Sequence, residues 1–254
     1  MTRITWNRNP REMLIFALDI GEDIDDAISW VKRLEDHVGI FKIGKESFTQ
    51  YGPRIIEKIR ERGKEVFLDL KFHDIPNTVA GAAVGAVKHG VFMFNVHALG
   101  GRQMMEEAVA AVNRVVKETG VPRPMILAVT VLTSLNDGDL TQLGFNCPAS
   151  ELTLRLSKIA QDSGVSGVVA SAYDIENIRT ACGRDFIIVT PGIRDALKMD
   201  DDQKRTATVR DAIMRGADYI VVGRPIRKAV DPVQKVEEIV NEIAEGLAMR
   251  EKVV

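Results

Sequence analysis

The segment Val66-Phe67-Leu68-Asp69-Leu70-Lys71-Phe72-His73-Asp74-Ile75-Pro76-Asn77-Thr78 sets acid and base side chains inside an apolar run. If the run is a strand, its side chains alternate between faces. Leu68, Leu70 and Phe72 then share one face, suited to packing under helices, while Phe67, Asp69 and Lys71 share the other. An unpaired buried charge is costly, so Asp69 and Lys71 must compensate each other or a third group. Asp74 follows just beyond, before Ile75-Pro76 opens a helix. Carboxylates on either side favour the ammonium form of Lys71. That suits a proton donor or a stabiliser of developing negative charge rather than a Schiff-base amine. A plain structural ion pair is the simpler reading, but such a pair need not stand where a strand gives way to a loop.

Other strand ends carry polar groups too. Asp19 closes the first strand and Lys42 lies in the second. Thr133 and Ser134 follow the fifth, Pro191-Gly192-Ile193-Arg194 the seventh, and Val222-Gly223-Arg224-Pro225 the eighth. Gly223 would let backbone N–H groups approach an anion closely, and the Arg224 guanidinium matches a phosphate. The polar stretch between Arg194 and Arg205 is long for a strand-to-helix loop and reads as a lid, with Gln203 a candidate ligand contact. His73 joins the Lys71 face only if the strand stays regular. His97 shares a face with Asn95, with pocket-lining and structural roles both open. His37 and His89 read as surface residues, and Met104 and Met105 as helix packing.

The elements that must position these groups alternate along the chain. Strand-like runs occupy Leu14–Asp19, Ile40–Gly44, Val66–Lys71, Phe92–His97, Ile126–Leu132, Gly167–Ser171, Phe186–Thr190 and Tyr219–Gly223. Their Val, Ile, Leu and Phe content fits strands buried on both faces. Amphipathic helical stretches include Asp25–Asp36, Arg54–Arg62, Met104–Glu118, Glu151–Asp162 and Pro232–Met249, the last opened by Asp231-Pro232. Gly63, Gly90, Gly120 and Gly164 mark helix ends. The count and the length of 254 residues predict one (β/α)8 TIM barrel spanning residues 1–254, with its site at the C-terminal ends of the strands. An open doubly wound sheet is the alternative; the chain lacks both GxGxxG after its first strand and GxxxxGK[ST]. The residues through Glu12 carry no legible role.

Composition narrows the class. Hydrophobic residues make up 45% and charged residues 28%, which suits a globular fold and not a disordered tail. A net charge of -2 gives no support to nucleic-acid binding. No apolar run approaches a membrane span, and no secretory h-region opens the chain. Two cysteines, Cys147 and Cys182, without metal-ligand spacing read as free thiols, so the cytoplasm is the expected location.

The residues then acquire a family. DLKFHDIPNT (Asp69 to Thr78) resembles the signature of the orotidine 5′-phosphate decarboxylases, which make UMP in the last step of its de novo synthesis. FALD with Asp19, FKIGKE with Lys42, AVTVLTS with Thr133, TPGIR with Arg194, Gln203, and VVGRPI with Gly223 and Arg224 extend the resemblance over the whole chain in the family's order. It implies a cofactor-free, metal-free (β/α)8 homodimer acting on a nucleotide. It also implies roles: Lys71 as proton donor, Asp69 beside the substrate carboxylate, and Asp74 reaching into the partner's site with Ile75 and Thr78. Asp19 and Lys42 would bind ribose hydroxyls, and Thr133 would line the pyrimidine pocket. Arg194, Gln203, Gly223 and Arg224 would serve the closing loop and the phosphate. The related 3-keto-gulonate 6-phosphate decarboxylases and hexulose phosphate synthases share DxKxxD. They use Mg²⁺ held by an acid where this chain has Lys42. A catalytically silent nucleotide-binding barrel is the third reading; it would be expected to lack one of Asp69, Lys71 or Asp74.

Overall fold

A computed structural model of the chain describes residues 9–20, 23–192 and 207–252. Eight strands follow one another in chain order as a closed barrel. They are β1 (Leu14–Ala17), β2 (Ile40–Gly44), β3 (Glu65–Phe72), β4 (Met93–His97), β5 (Met125–Val129), β6 (Gly167–Val169), β7 (Ile187–Pro191) and β8 (Tyr219–Val222), with helices between them. The (β/α)8 expectation is met. The chain divides into two compact units, Met1–Val66 with Thr190–Val254, and Phe67–Val189.

In the first unit β1 lies parallel to both β2 and β8, with Phe16 opposite Phe41 on one side and Val222 on the other. Every residue of these three strands is buried, because β1 and β8 are wholly apolar and Lys42 is the only charge among them. The helix Ile24–Leu34 starts on Asp23, whose carboxylate accepts from the Asp25 N–H, and buries Ala27, Ile28, Val31 and Leu34. That spacing is one helical face. Its Trp30 ring stacks on Phe16 at 5.9 Å, while Phe41 meets Phe16 edge-on at 6.2 Å. Burying Phe16 alone contributes about 1.5–3 kcal/mol.

The last helix, Pro232–Lys252, opens as its sequence predicts. Asp231 accepts from the N–H groups of Val233 and Gln234 at 3.0 and 3.1 Å, which satisfies donors that the first turn leaves free. Val236, Ile239, Val240 and Ile243 form its buried face. Glu237 takes a two-pronged bond from Arg11 at 2.6 and 2.8 Å and a third from His37 at 2.6 Å. Those bonds, Arg11 first, hold the Glu237 carboxyl below its usual range. The Arg11 carbonyl also accepts from the Gly39 N–H. A side chain at Gly39 would strike Glu12 Cα at 2.6 Å. So Arg11, silent in the sequence, is fastened to the last helix. His37, read as a surface residue, is 29% exposed and belongs to this cluster.

In the second unit β4, β5, β6 and β7 are parallel in regular register. Gly167 of β6 stands so near β7 that a Cβ would meet the Ile187 carbonyl at 2.1 Å. The helix Gly101–Thr119 ends on Gly120 at φ 71°, the left-handed stop foreseen there. Met104 and Met105 are fully buried, as packing residues should be. Several strands are shorter than their apolar runs: β1 stops at Ala17, β5 at Val129 and β6 at Val169. Single bonds, Leu18 N–H to Lys42 O and Thr130 N–H to Val169 O, prolong the pairing before each chain turns away. Among the described residues no helix is long and apolar enough to cross a membrane.

Candidate active site

The end of β3 departs from strand geometry. Leu68 pairs with Phe94 of β4, but the next partner of Val96 is Phe72, so four steps along β3 match two along β4. Lys71 sits at φ 52°, the sole non-glycine residue with positive φ among the described residues. The expected regular alternation through Phe72 is therefore corrected: it holds to Leu68 and is broken by this bulge. The expected pairing survives the break. Lys71 Nζ donates to Asp69 Oδ1 at 2.6 Å. Asn95, fully buried in β4, donates from Nδ2 to the same oxygen at 2.7 Å and accepts the Lys71 N–H on Oδ1 at 2.7 Å.

Beyond the bulge the chain is exposed. Asp74 Oδ1 accepts the N–H of Ile75 at 2.6 Å, and Pro76 begins the helix Pro76–Lys88. Asp74 and Thr78 are exposed, and Ile75 is 67% exposed. The His73 ring stacks on His97 at 5.3 Å. His97 Nδ1 accepts the Leu99 N–H at 3.3 Å. Thr133 lies exposed on the turn after β5.

The first unit carries its own charged cluster at the ends of β1 and β2. Lys42, 7% exposed, donates to Asp19 Oδ1 at 3.0 Å. Ser47 donates to the Leu18 carbonyl at 2.8 Å, and Arg227 donates to the Asp19 carbonyl. Gly44 closes β2 at φ -86°, ψ 178°, yet a Cβ there would lie 2.7 Å from Asp19 Oδ1 and 3.1 Å from Lys42 Nζ. After β8, Gly223 packs so that a Cβ would meet that of Ala17 at 3.0 Å. Arg224 is exposed and opens the short helix Arg224–Arg227. Arg194 and Gln203 lie outside the described residues.

Sequence reading missed Asn95, Gly44 and Arg227 as parts of these clusters. Asn95 did carry a signal, a polar side chain amid Met93-Phe94-Val96. Gly44 and Arg227 carried none that periodicity could use. Asp174, after β6, was also unforeseen; burial pushes its carboxyl up to about 6.

Residues 12–239 match the model of the orotidine 5′-phosphate decarboxylase / HUMPS family. The chain belongs to this family. An orotidine 5′-phosphate decarboxylase from Syntrophus aciditrophicus is 59% identical to it, over 98% of this chain and 100% of that protein. One from Trichlorobacter lovleyi is 50% identical, over 93% and 97% of the respective chains. The crystal structure of orotidine 5′-phosphate decarboxylase from Lactobacillus acidophilus superposes with a TM-score of 0.78 at 38% identity, covering 91% of this chain and 98% of that one.

Proposed function

We propose that this chain, as one (β/α)8 domain over residues 1–254, converts orotidine 5′-monophosphate to UMP and CO2 without metal or organic cofactor. The observation that carries the reading is the 2.6 Å bond from Lys71 Nζ to Asp69 Oδ1 at the C-terminal end of a barrel strand, in a chain of this family. Breaking the bond between C6 and the carboxylate leaves an electron pair on C6, in the ring plane and without conjugation to the ring carbonyls. The barrier is therefore high, and a fixed positive charge aimed at C6 lowers it. The Lys71 ammonium supplies that charge and then transfers one proton to C6; solvent returns the proton to the amine. Asp69 stands beside the substrate carboxylate and holds the ammonium.

The remaining roles follow the family resemblance. Asp19 and Lys42 bind the ribose hydroxyls, Thr133 lines the pyrimidine pocket, and Arg194, Gln203, Gly223 and Arg224 serve the phosphate. Phosphate binding far from C6 supplies energy for organising the reacting end. Asp74, with Ile75 and Thr78, completes the site of a second copy in a homodimer. Ile75, given to the partner's site by the resemblance, is 67% exposed, which supports that assembly. The expected location is the cytoplasm. Lys42 supports this reading over the Mg²⁺-dependent one, because its ammonium, paired with Asp19, would repel a cation where those relatives place an acid. The test is Lys71→Ala: turnover should all but vanish while UMP binding stays measurable, and near wild-type turnover would overturn the assignment.

A further inference from the structure

We propose that Asn95 is the positioning residue that sets the proton-donating lysine, by tying down both the backbone of Lys71 and the carboxylate that holds its ammonium. The proposal rests on the decarboxylase reading above. A residue with a Cβ disfavours the left-handed region, so a lysine at φ 52° must be held there by its surroundings. The bulge removes the regular β3–β4 register between Leu68 and Phe72, so the Lys71 N–H needs an acceptor from elsewhere. Asn95 Oδ1 supplies it at 2.7 Å.

The other half of the same amide faces Asp69. Nδ2 donates to Oδ1 of Asp69 at 2.7 Å, the oxygen that also receives Lys71 Nζ at 2.6 Å. Chemistry fixes the orientation of the amide: an N–H can only donate and a carboxylate can only accept, so a flipped Asn95 would lose both bonds. An aspartate keeps the acceptor for Lys71 but loses the donor to Asp69 and adds a like charge. An alanine loses both. With no solvent exposure, Asn95 has no water to substitute for either partner, so both bonds are needed to satisfy it. The lysine is thus gripped at its backbone and at its tip through one side chain. Asn95 need not touch the substrate to act.

The test uses the intact protein carrying Asn95→Ala or Asn95→Asp. Misplacement of a reacting group by an ångström costs about 100-fold in rate, and Asn95→Ala should lower kcat by about that factor. The affinity for UMP should change little, because none of the described residues assigned to its phosphate and ribose is bonded to Asn95. In a crystal structure of Asn95→Ala, Lys71 should leave the left-handed region. Asn95→Asp should keep Lys71 there and still lose kcat, which separates the two bonds. Wild-type kcat in either variant overturns the proposal, as does equal loss of kcat and UMP affinity, or an unmoved Lys71 backbone in Asn95→Ala. If Asn95→Ala does not fold, kcat and UMP affinity of Asn95→Asp decide. If the wild-type protein fails to turn over orotidine 5′-monophosphate, the decarboxylase reading falls, and the Lys71 backbone in the variant crystal still decides whether Asn95 holds it.

Discussion

Gly44→Ala should damage the Asp19–Lys42 pair while leaving the fold intact. At φ -86°, ψ 178° the Gly44 backbone is one that any residue adopts, so alanine brings no conformational strain there. What it brings is a Cβ 2.7 Å from Asp19 Oδ1 and 3.1 Å from Lys42 Nζ. Contacts under 3.0 Å essentially never occur and ordinary ones begin at 3.4 Å, so the Asp19 oxygen must retreat by between 0.3 and 0.7 Å. Lys42 is buried and has little room to follow, whereas the Asp19 carboxylate, 35% exposed, can turn away and stretch the bond between them. With Asp19 the proposed ribose contact, a displacement of several tenths of an ångström should lower kcat/KM by up to about 10-fold. Replacing glycine at a compatible position gains about 0.4–1 kcal/mol through the unfolded chain, which offsets local crowding, so the melting temperature should hold nearly steady. Steady-state kinetics with orotidine 5′-monophosphate, UMP titration and a thermal melt read all three quantities. Wild-type kcat/KM would refute the reasoning, and so would a rate loss that merely tracks unfolding.

Three further outcomes follow from other parts of the molecule. Arg224→Ala should weaken UMP binding and kcat/KM for the nucleotide, yet leave turnover of phosphate-free orotidine unchanged; equal loss with both substrates would break the phosphate assignment. Burial raises the folded-state pKa of Asp174 from 3.8 to about 6, so the folded chain binds that proton more tightly than the unfolded one, and stability is lost as pH rises through this window. Asp174→Asn should therefore stabilise by about 1–2 kcal/mol at neutral pH, after discounting for the water that reaches the carboxyl, and by much less in acid; equal gains at both pH values in denaturant titrations would contradict this. Glu237 has the opposite sign: Arg11 and then His37 depress its carboxyl, so its contribution is present above the unfolded value of 4.5 and fades as pH falls through the lower folded one. Because both Glu237 and Arg11 are about a third exposed, Glu237→Gln should cost only about 0.5–1 kcal/mol near neutrality, and a cost that persisted in strong acid would exclude the mechanism.

Much of the fold was legible because parallel barrel strands are apolar on both faces. Ile40–Gly44 was readable to the residue, and Asp231-Pro232 gave the start of the last helix correctly. Strand ends were not, since Leu18, Thr130 and Ala170 keep single ladder bonds after regular pairing has stopped. Short helices such as Asp137–Gln142, held by the Asn136–Asp139 capping box, are too brief for hydrophobic periodicity to mark. The charges of the two clusters were legible, because Asp69, Lys71 and Lys42 stand out from their apolar neighbours. Their geometry was not. The Lys71 N–H at the bulge is bonded by a side chain on the next strand, Asn95, and the crowding at Gly44 comes from Asp19. Both are tertiary effects, and strict alternation along one strand carries no trace of them.

The central claim meets its most direct test in the absorbance change of orotidine 5′-monophosphate mixed with the purified protein, with and without excess EDTA. Conversion to UMP should run at the same rate in both. No conversion by folded protein that still binds UMP would contradict it in favour of a silent binding barrel. No conversion and no UMP binding would contradict it in favour of the Mg²⁺-dependent sugar-phosphate chemistry, and conversion abolished by EDTA would contradict the metal-free mechanism.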